Sequence, residues 1–561
     1  MFKYNTIMGV GKTQTKEVML KNGNTEYTLS IGEDNEFHIV DKDGDVIFKK
    51  EDVFYDGTEE KVQEYFDNSI NKLLTNDEFI GYNFATYGAA AIYRKGNKKV
   101  KVEVGVNPLT NRKVTVDSVQ KYYSSTKLPV HVCLMKFWEE GVIDLDAPLS
   151  TYIPEARGVK WRRVRLVPPI FGNTTDTYQY PNTYKFSDDD TVYRVERYTA
   201  TRTSGNSTPL SYFGAKNRNI GYVLVDCPEP LVKHVMTHSS GLVANFMSLF
   251  HSQGASIYGN GKLDMNDTSY DYLYVYDSIQ TSFRERTTGN NIKDSFQHTM
   301  KAGILTHVPG SAFDYGHDSD ITGWLNEMAY LKQTGTYKRL QEVMNEKIFK
   351  PLQMNSTFFY MKRSDPRYED ILRRICPIVQ TTKDPKRPWR ISGNPDTQFP
   401  TQEVPESGGG GLFSTVNDTD KILHMIKSGG KLEDGTRYMK AMTVRKMIGG
   451  GGLKTTKKRM DENKTFSSNT APRIETFSFI GGLENNDANE HKVLEIPNTP
   501  TGISEQLVPT DQVKWMGAFG SVWGYAPSDD LSFCSQSMND YMGADYHFFC
   551  KPVDLILRNS K

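Results

Sequence analysis

The chain is 561 residues long, with 37% apolar, 24% charged and 12% aromatic residues, a globular composition that excludes a disordered polymer and leaves room for about two to four domains. Its 68 basic and 68 acidic residues cancel, which excludes the basic excess expected of a dedicated nucleic-acid binder. There is no apolar run long enough for a membrane span, and the first residues, MFKYNTIMGVGKTQTK, lack the apolar stretch of a secretory signal. Cys133, Cys227, Cys376, Cys534 and Cys550 are scattered with no CxxC pair, so reduced thiols and a cytoplasmic location are expected.

Residues 1–65 carry short alternating stretches, EYTLSI, EFHIV and VIFKK, between turn-rich segments, and read as a separate β-meander module. Asp41, Asp43 and Asp45 imitate a calcium loop, but Val46 stands where an EF-hand needs Gly, so an Asp-Gly hairpin turn is expected. The main domain then runs from residue 66 to 561. EEKVQEYFDNSINKLLTN has helical spacing. YGAAAIYRKGNKKVKVEVG reads as two strands around a turn, and VHVCLMKFWEEGVIDLD as a helix with Gly141 near its end. A strand-rich insertion occupies 156–229, and residues 230–450 alternate helices with Gly-rich loops. A second insertion covers 449–513, followed by paired strands from Trp515 and a last helix near 548–558. This order predicts one sheet built from both chain ends, with a helical subdomain between them.

Several chemical motifs fail on inspection. GVGKT at Gly9–Thr13 has Thr6 where a P-loop needs its first Gly, and the Gly408–Gly411 run is followed by no GK[ST] and reads as a tight turn beside a buried helix. HExxH and GxSxG are absent, and the histidines form no ligand-spaced cluster, so no metal and no cofactor are expected. SxxK occurs at Ser69/Lys72, Ser118/Lys121, Ser124/Lys127 and Ser428/Lys431. At i and i+3 of a helix the two side chains share a face. A partly desolvated helix N-terminus favours a neutral amine, which can take the serine proton. Only Ser124/Lys127 follows a strand pair and a loop and opens a helix.

SSTK followed by EEGVIDLDAPLSTYIPE resembles the serine β-lactamase-like hydrolases, the group of class C β-lactamases, penicillin-binding proteins, family VIII carboxylesterases and related transesterases. LVKHVMTHSSGL resembles the family's TxxHLLTHTSGL stretch, HVPGSAFDYGHDSD its PGxxFxYSN segment, and SGGGGLFSTVNDTDKIL its GGGLxSTAxD segment. WMGAFGSVWGY resembles the WGGxxG version of the KTG strand, typical of the esterase and transesterase branch.

The resemblance implies an α+β fold of the β-lactamase/transpeptidase type: an antiparallel sheet flanked by helices, a helical subdomain, and here the added N-terminal β-rich module. It implies Ser124 as nucleophile, Lys127 as base with Tyr315 assisting, and an oxyanion hole from the backbone N–H groups of Ser124 and Ala518. His317 stands where the family usually has Asn or Ser, and Trp515-Met516-Gly517 where it has Lys-Thr-Gly, which makes His317, Trp515 and Gly517 the expected substrate-binding residues. Without the KTG lysine, the expected substrates are small neutral esters or amides rather than carboxylate-bearing β-lactams. Lys514 faces the other side of the strand unless a bulge intervenes. His238 and Ser240 are expected in a structural turn. An acyltransferase using the same acyl-enzyme, or a non-catalytic scaffold of the same fold, would share these features. The sequence leaves the oligomeric state open.

Overall fold

The segment GAAAIYRK forms strand β5 (Gly88–Lys95), whose first six residues are buried. A strand of small and apolar residues with no polar alternation is one covered on both faces. Its hairpin partner β6 (Lys98–Gly105) alternates instead, with Val100, Val102 and Val104 buried and lysines outward, as suits an edge strand. Five strands from the last part of the chain complete the sheet: β7 (Thr476–Phe477), β8 (Gly482–Leu483), β9 (Val513–Gly517), β10 (Ser521–Ala526) and β11 (Leu531–Gln536). Their order is β7-β8-β9-β10-β11-β5-β6, with every neighbouring pair antiparallel. The sheet is therefore assembled from both ends of the chain, as the sequence order predicts.

This computed structural model describes residues 18–22, 25–31, 37–41, 46–49, 86–167, 170, 179–201, 217–242, 292–305, 307–311, 316–381, 389–391, 399–449, 476–483, 513–517, 520–527 and 530–538. The helices expected at 59–76 and near 548–558 and the Asp-Gly turn lie outside them. The N-terminal strands β1 (Val18–Asn22), β2 (Thr25–Ile31), β3 (Phe37–Asp41) and β4 (Val46–Lys49) form an antiparallel meander in sequence order.

Helix α1 (Lys127–Glu139) is buried nearly all round, from Lys127 through Met135 and at Phe137. Apolar residues on every side mark a central helix. Gly141 ends it in the left-handed region (φ +74°). Its N–H donates to Trp138 O and that of Val142 to Phe137 O, the two bonds of a Schellman cap. Helix α2 (Asp318–Thr334) packs on α1, where Asn326 Nδ2 donates to Val130 O at 3.0 Å. Helix α3 (Val416–Lys427) is capped by Thr415, whose Oγ1 accepts from Asp418 N. It lies on the sheet, and Arg94 of β5 grips its Asp420 with two bonds of 2.7 Å.

Strands also form among the described residues of 156–229, the segment expected to be an insertion. Glu196–Thr201, Asn217–Asp226 and Arg162–Leu166 form an antiparallel sheet, and Ile304–Leu305 joins it parallel to Arg162–Arg163.

Candidate active site

The short strand Gln120–Lys121 pairs with Phe413–Ser414 and delivers the chain into a 3₁₀ turn, Tyr123–Thr126, that runs directly into α1. Tyr123 has φ +46°, a costly conformation for an aromatic residue, held at the residue before Ser124. The turn is pinned from two sides. Tyr122 N donates to Leu412 O, and Leu412 N donates to Thr126 Oγ1. From the sheet, Ser521 Oγ donates to Tyr122 O at 2.8 Å and lies 2.9 Å from Ser125 Oγ.

These bonds separate three consecutive hydroxyls. Ser125 and Thr126 are buried and face the protein interior, whereas Ser124 is half-buried. Lys127 is buried, and its Nζ donates to Gly409 O at 2.8 Å. The rival SxxK pairs are placed differently. Ser118 sits in a turn, where its Oγ accepts from Thr115 N, and Lys121 is in a strand. Ser428 is the C-cap of α3. Ser69 and Lys72 lie outside the described residues.

Gly408–Gly411 forms the tight turn expected beside a buried helix. A Cβ on Gly408 would meet Ser319 O of α2 at 2.4 Å, so only glycine permits this approach. The turn carries the carbonyl that receives Lys127, and it is anchored by Asp320. Asp320 Oδ1 accepts from Ser407 Oγ at 2.6 Å and from Gly409 N at 3.0 Å, while His317 Nδ1 donates to Oδ2 at 2.6 Å. Burial alone would raise the Asp320 carboxyl; the bonds from His317, Ser407 and Gly409 outweigh it and hold it below the usual carboxylate range. His317 thus reaches Lys127 through Asp320 and Gly409.

Behind Lys127 lies a buried polar chain. Burial pushes His131 down to about 3 and His238 well below the usual imidazole range, so both rings are neutral. Their partners then fix the proton positions. His131 Nδ1 donates to Phe479 O at 2.8 Å, so its Nε2 accepts from Ser319 Oγ at 2.9 Å. Ser319 Oγ in turn accepts from His238 Nε2 at 3.3 Å, and His238 Nδ1 accepts from Gly316 N at 3.4 Å with Asp318 Oδ2 3.5 Å away. His238 has φ +50°, Ser240 Oγ accepts from Leu242 N, and Gly310 N donates to Ser239 O. The THSSGL and HVPG segments therefore clasp each other, and His238 and Ser240 are buried in that turn.

On the sheet side, β9 pairs with β10 in unbroken register, so Trp515 and Lys514 face opposite sides; Lys514 is buried and Trp515 half-buried. Gly517 packs on the turn that carries Ser124, where a Cβ would lie 2.1 Å from Tyr122 O and 3.2 Å from Ser125 N. Tyr315 and Ala518 lie outside the described residues, which include their neighbours Gly316 and Gly517. Among the described residues no group of His, Cys, Asp and Glu is placed to hold a metal ion, and no helix is long and apolar enough to cross a membrane.

A family model described as Beta-lactamase matches residues 78–167 and 228–534, well over half of the chain. The chain belongs to that family. The match passes over 168–227, inside the insertion read from the sequence, and begins after the N-terminal meander. Among solved structures, the LovD9 mutant of simvastatin synthase (LovD) from Aspergillus terreus is 15% identical, with 89% of this chain and 96% of that chain covered at a TM-score of 0.50. The unliganded selenomethionyl derivative of the same synthase is 16% identical, with 85% and 92% covered at 0.50. EstCE1, a hydrolase with promiscuous acyltransferase activity, is 15% identical, with 88% and 98% covered at 0.49. At such identities the likeness is one of fold. No curated protein sequence matches the chain.

Asp320, Ser407, Gly409, His131 and Ser319 are the site residues that sequence reading missed. The signal available for Asp320 was its place in HDSD at the start of a helix; Gly409 was noticed only as part of a glycine run.

Proposed function

We propose that the protein is a carboxylesterase-type serine hydrolase that cleaves neutral esters or amides through an acyl-enzyme on Ser124. The observation that carries this reading is the local contrast at the start of α1. Of three successive hydroxyls only Ser124 is not buried, and one turn on Lys127 is buried with its amine fixed on Gly409 O. In this reading Lys127, assisted by Tyr315, takes the Ser124 proton as Oγ attacks the acyl carbon. The C–O or C–N bond to the leaving group then breaks, and the proton passes to that group. Water attacks the ester carbon in the second step and gives its proton to the same base; the Ser124 Oγ–acyl bond then breaks, Oγ takes that proton back, and the carboxylic acid leaves. The backbone N–H groups of Ser124 and Ala518 would bind the developing oxyanion; one such donor is worth about 10²–10³ in turnover. Trp515 offers an apolar face where a cation would serve an anionic substrate. That face suits an alcohol acceptor as well as an acyl chain, so transfer to an added alcohol is the second reading.

The test is p-nitrophenyl butyrate hydrolysis together with serine-directed phosphonate labelling read by mass spectrometry. The wild type should be labelled on Ser124 and turn over the ester. Ser124→Ala should lose both while keeping its melting temperature. Loss of activity in Ser118→Ala or Ser428→Ala, with Ser124→Ala active, would overturn the assignment. Product analysis with an added alcohol separates transfer from hydrolysis.

A further inference from the structure

The geometry points to Asp320 as the positioning residue that sets the place of the Lys127 amine, a role that rests on the acyl-enzyme reading above. The contact runs through one glycine. Gly409 gives its carbonyl to Lys127 Nζ at 2.8 Å and its N–H to Asp320 Oδ1 at 3.0 Å, so both of its polar backbone atoms are fixed. The same oxygen takes Ser407 Oγ at 2.6 Å, two residues earlier, and Oδ2 takes His317 Nδ1.

Three donors converge on a side chain that is 4% exposed. A carboxylate accepts all three, whereas an amide offers one acceptor oxygen and turns an NH₂ group towards a donor. The loop is closely packed: a Cβ on Gly408 would lie 2.4 Å from Ser319 O, and one on Gly409 3.2 Å from Asp320 Oδ2. Asp320 itself is fixed at the first turn of α2, where its N–H donates to His317 O at 2.8 Å. Helix α2 therefore dictates where Gly409 O stands, and that carbonyl dictates where the amine stands relative to Ser124. Asp320 touches neither substrate nor the reacting atoms in this account.

The experiment measures acylation in single-turnover release of p-nitrophenol, divided by the number of sites titrated with the phosphonate. Asp320→Asn should lower the rate per titrated site by about 10–100-fold with KM within about twofold, because a small misplacement of a reacting group costs that much. Ser407→Ala removes one anchoring bond and should lower the rate per site by about 2–10-fold. A purely structural Asp320 would reduce the number of titratable sites and the melting temperature but leave the rate per site unchanged. That outcome overturns the inference. If Asp320→Asn does not fold, Ser407→Ala decides: a wild-type rate per site overturns the inference, and a lowered one supports it. Failure of the wild type to label on Ser124 would sink the functional reading instead, so the two failures are distinguishable.

Discussion

Ser521 Oγ donates to the carbonyl oxygen of Tyr122 at 2.8 Å, which ties the sheet to the residue two before Ser124. On the neighbouring strand β9, Gly517, the register partner of Ser521, meets the same carbonyl with no room for a methyl group. The turn that carries Ser124 is thus held between the sheet and Leu412, and its geometry belongs to the packing of both.

Gly517→Ala should break that clamp. The added Cβ would stand 2.1 Å from Tyr122 O and 2.4 Å from Ser521 Oγ, both in the interior. Overpacking of this kind costs about 1–3 kcal/mol of stability. Displacing the Ser124 turn should cost about 10²-fold in ester turnover. Thermal melting and the rate of phosphonate labelling check the two effects separately. Unchanged labelling in the variant would show that the turn tolerates the push.

The pH dependence of stability should carry the mark of a buried acid pair. Burial pushes Glu327 up to about 8 and Glu406 up to about 7. Tyr337 OH and Leu340 N donate to Glu327, and Arg339 Nε donates to Glu406. Both folded values exceed those of an unfolded chain, near 4.3. Their contribution is therefore complete below about pH 4 and is lost as pH rises through 7 to 8. His131 and His238 work in the opposite direction. Their folded values lie below about 6.5, so their contribution is present above that pH and is lost on acidification. Melting temperature should then fall between pH 6 and 8.5. Glu327→Gln keeps a carbonyl for Leu340 N and should flatten that fall. An unaltered slope in the variant would rule the pair out as its source.

Specificity should follow Trp515. The indole should gain roughly 25 cal/mol for each Å² of apolar substrate it buries, and it offers a carboxylate no cation. p-Nitrophenyl butyrate should be turned over with a far higher kcat/KM than nitrocefin. Because the β9–β10 register is unbroken, Lys514 stays on the far face, and Lys514→Ala should leave that ratio unchanged. Nitrocefin matching the ester would contradict the assignment.

The N-terminal strands should be dispensable for chemistry. Among the described residues β1–β4 pair only with one another, and the family match starts at residue 78. A protein lacking residues 1–60 should remain soluble and cleave p-nitrophenyl butyrate; an insoluble product would show that these residues complete the main core.

Much of this architecture is legible in the sequence, for identifiable reasons. The apolar run from Leu128 to Phe137, closed by Gly141, reads as a buried helix because burial and capping are local properties. The hairpin β5–β6 is legible from one apolar strand beside one alternating strand. Ser124 stands out from three other SxxK serines only once its surroundings are weighed. The Asp320–Gly409–Lys127 link was not legible. Its members are separated by 89 residues or more, and HDSD read locally is only an acidic helix start. The left-handed Tyr123 gave no warning either, because tyrosine has no preference for that conformation and tertiary contacts impose it.

The parallel pairing of Ile304–Leu305 with Arg162–Arg163 has an engineering consequence. Those two rungs stand just ahead of His307, on the segment clasped to Ser239. The insertion is therefore not a pendant that can be cut away at its two chain ends. A graft that exchanges 168–227 for a foreign loop should keep Arg162–Leu166 as a landing strip. Milder changes would vary the outer strands, Thr183–Lys185 and Val192–Arg194, and leave that seam untouched.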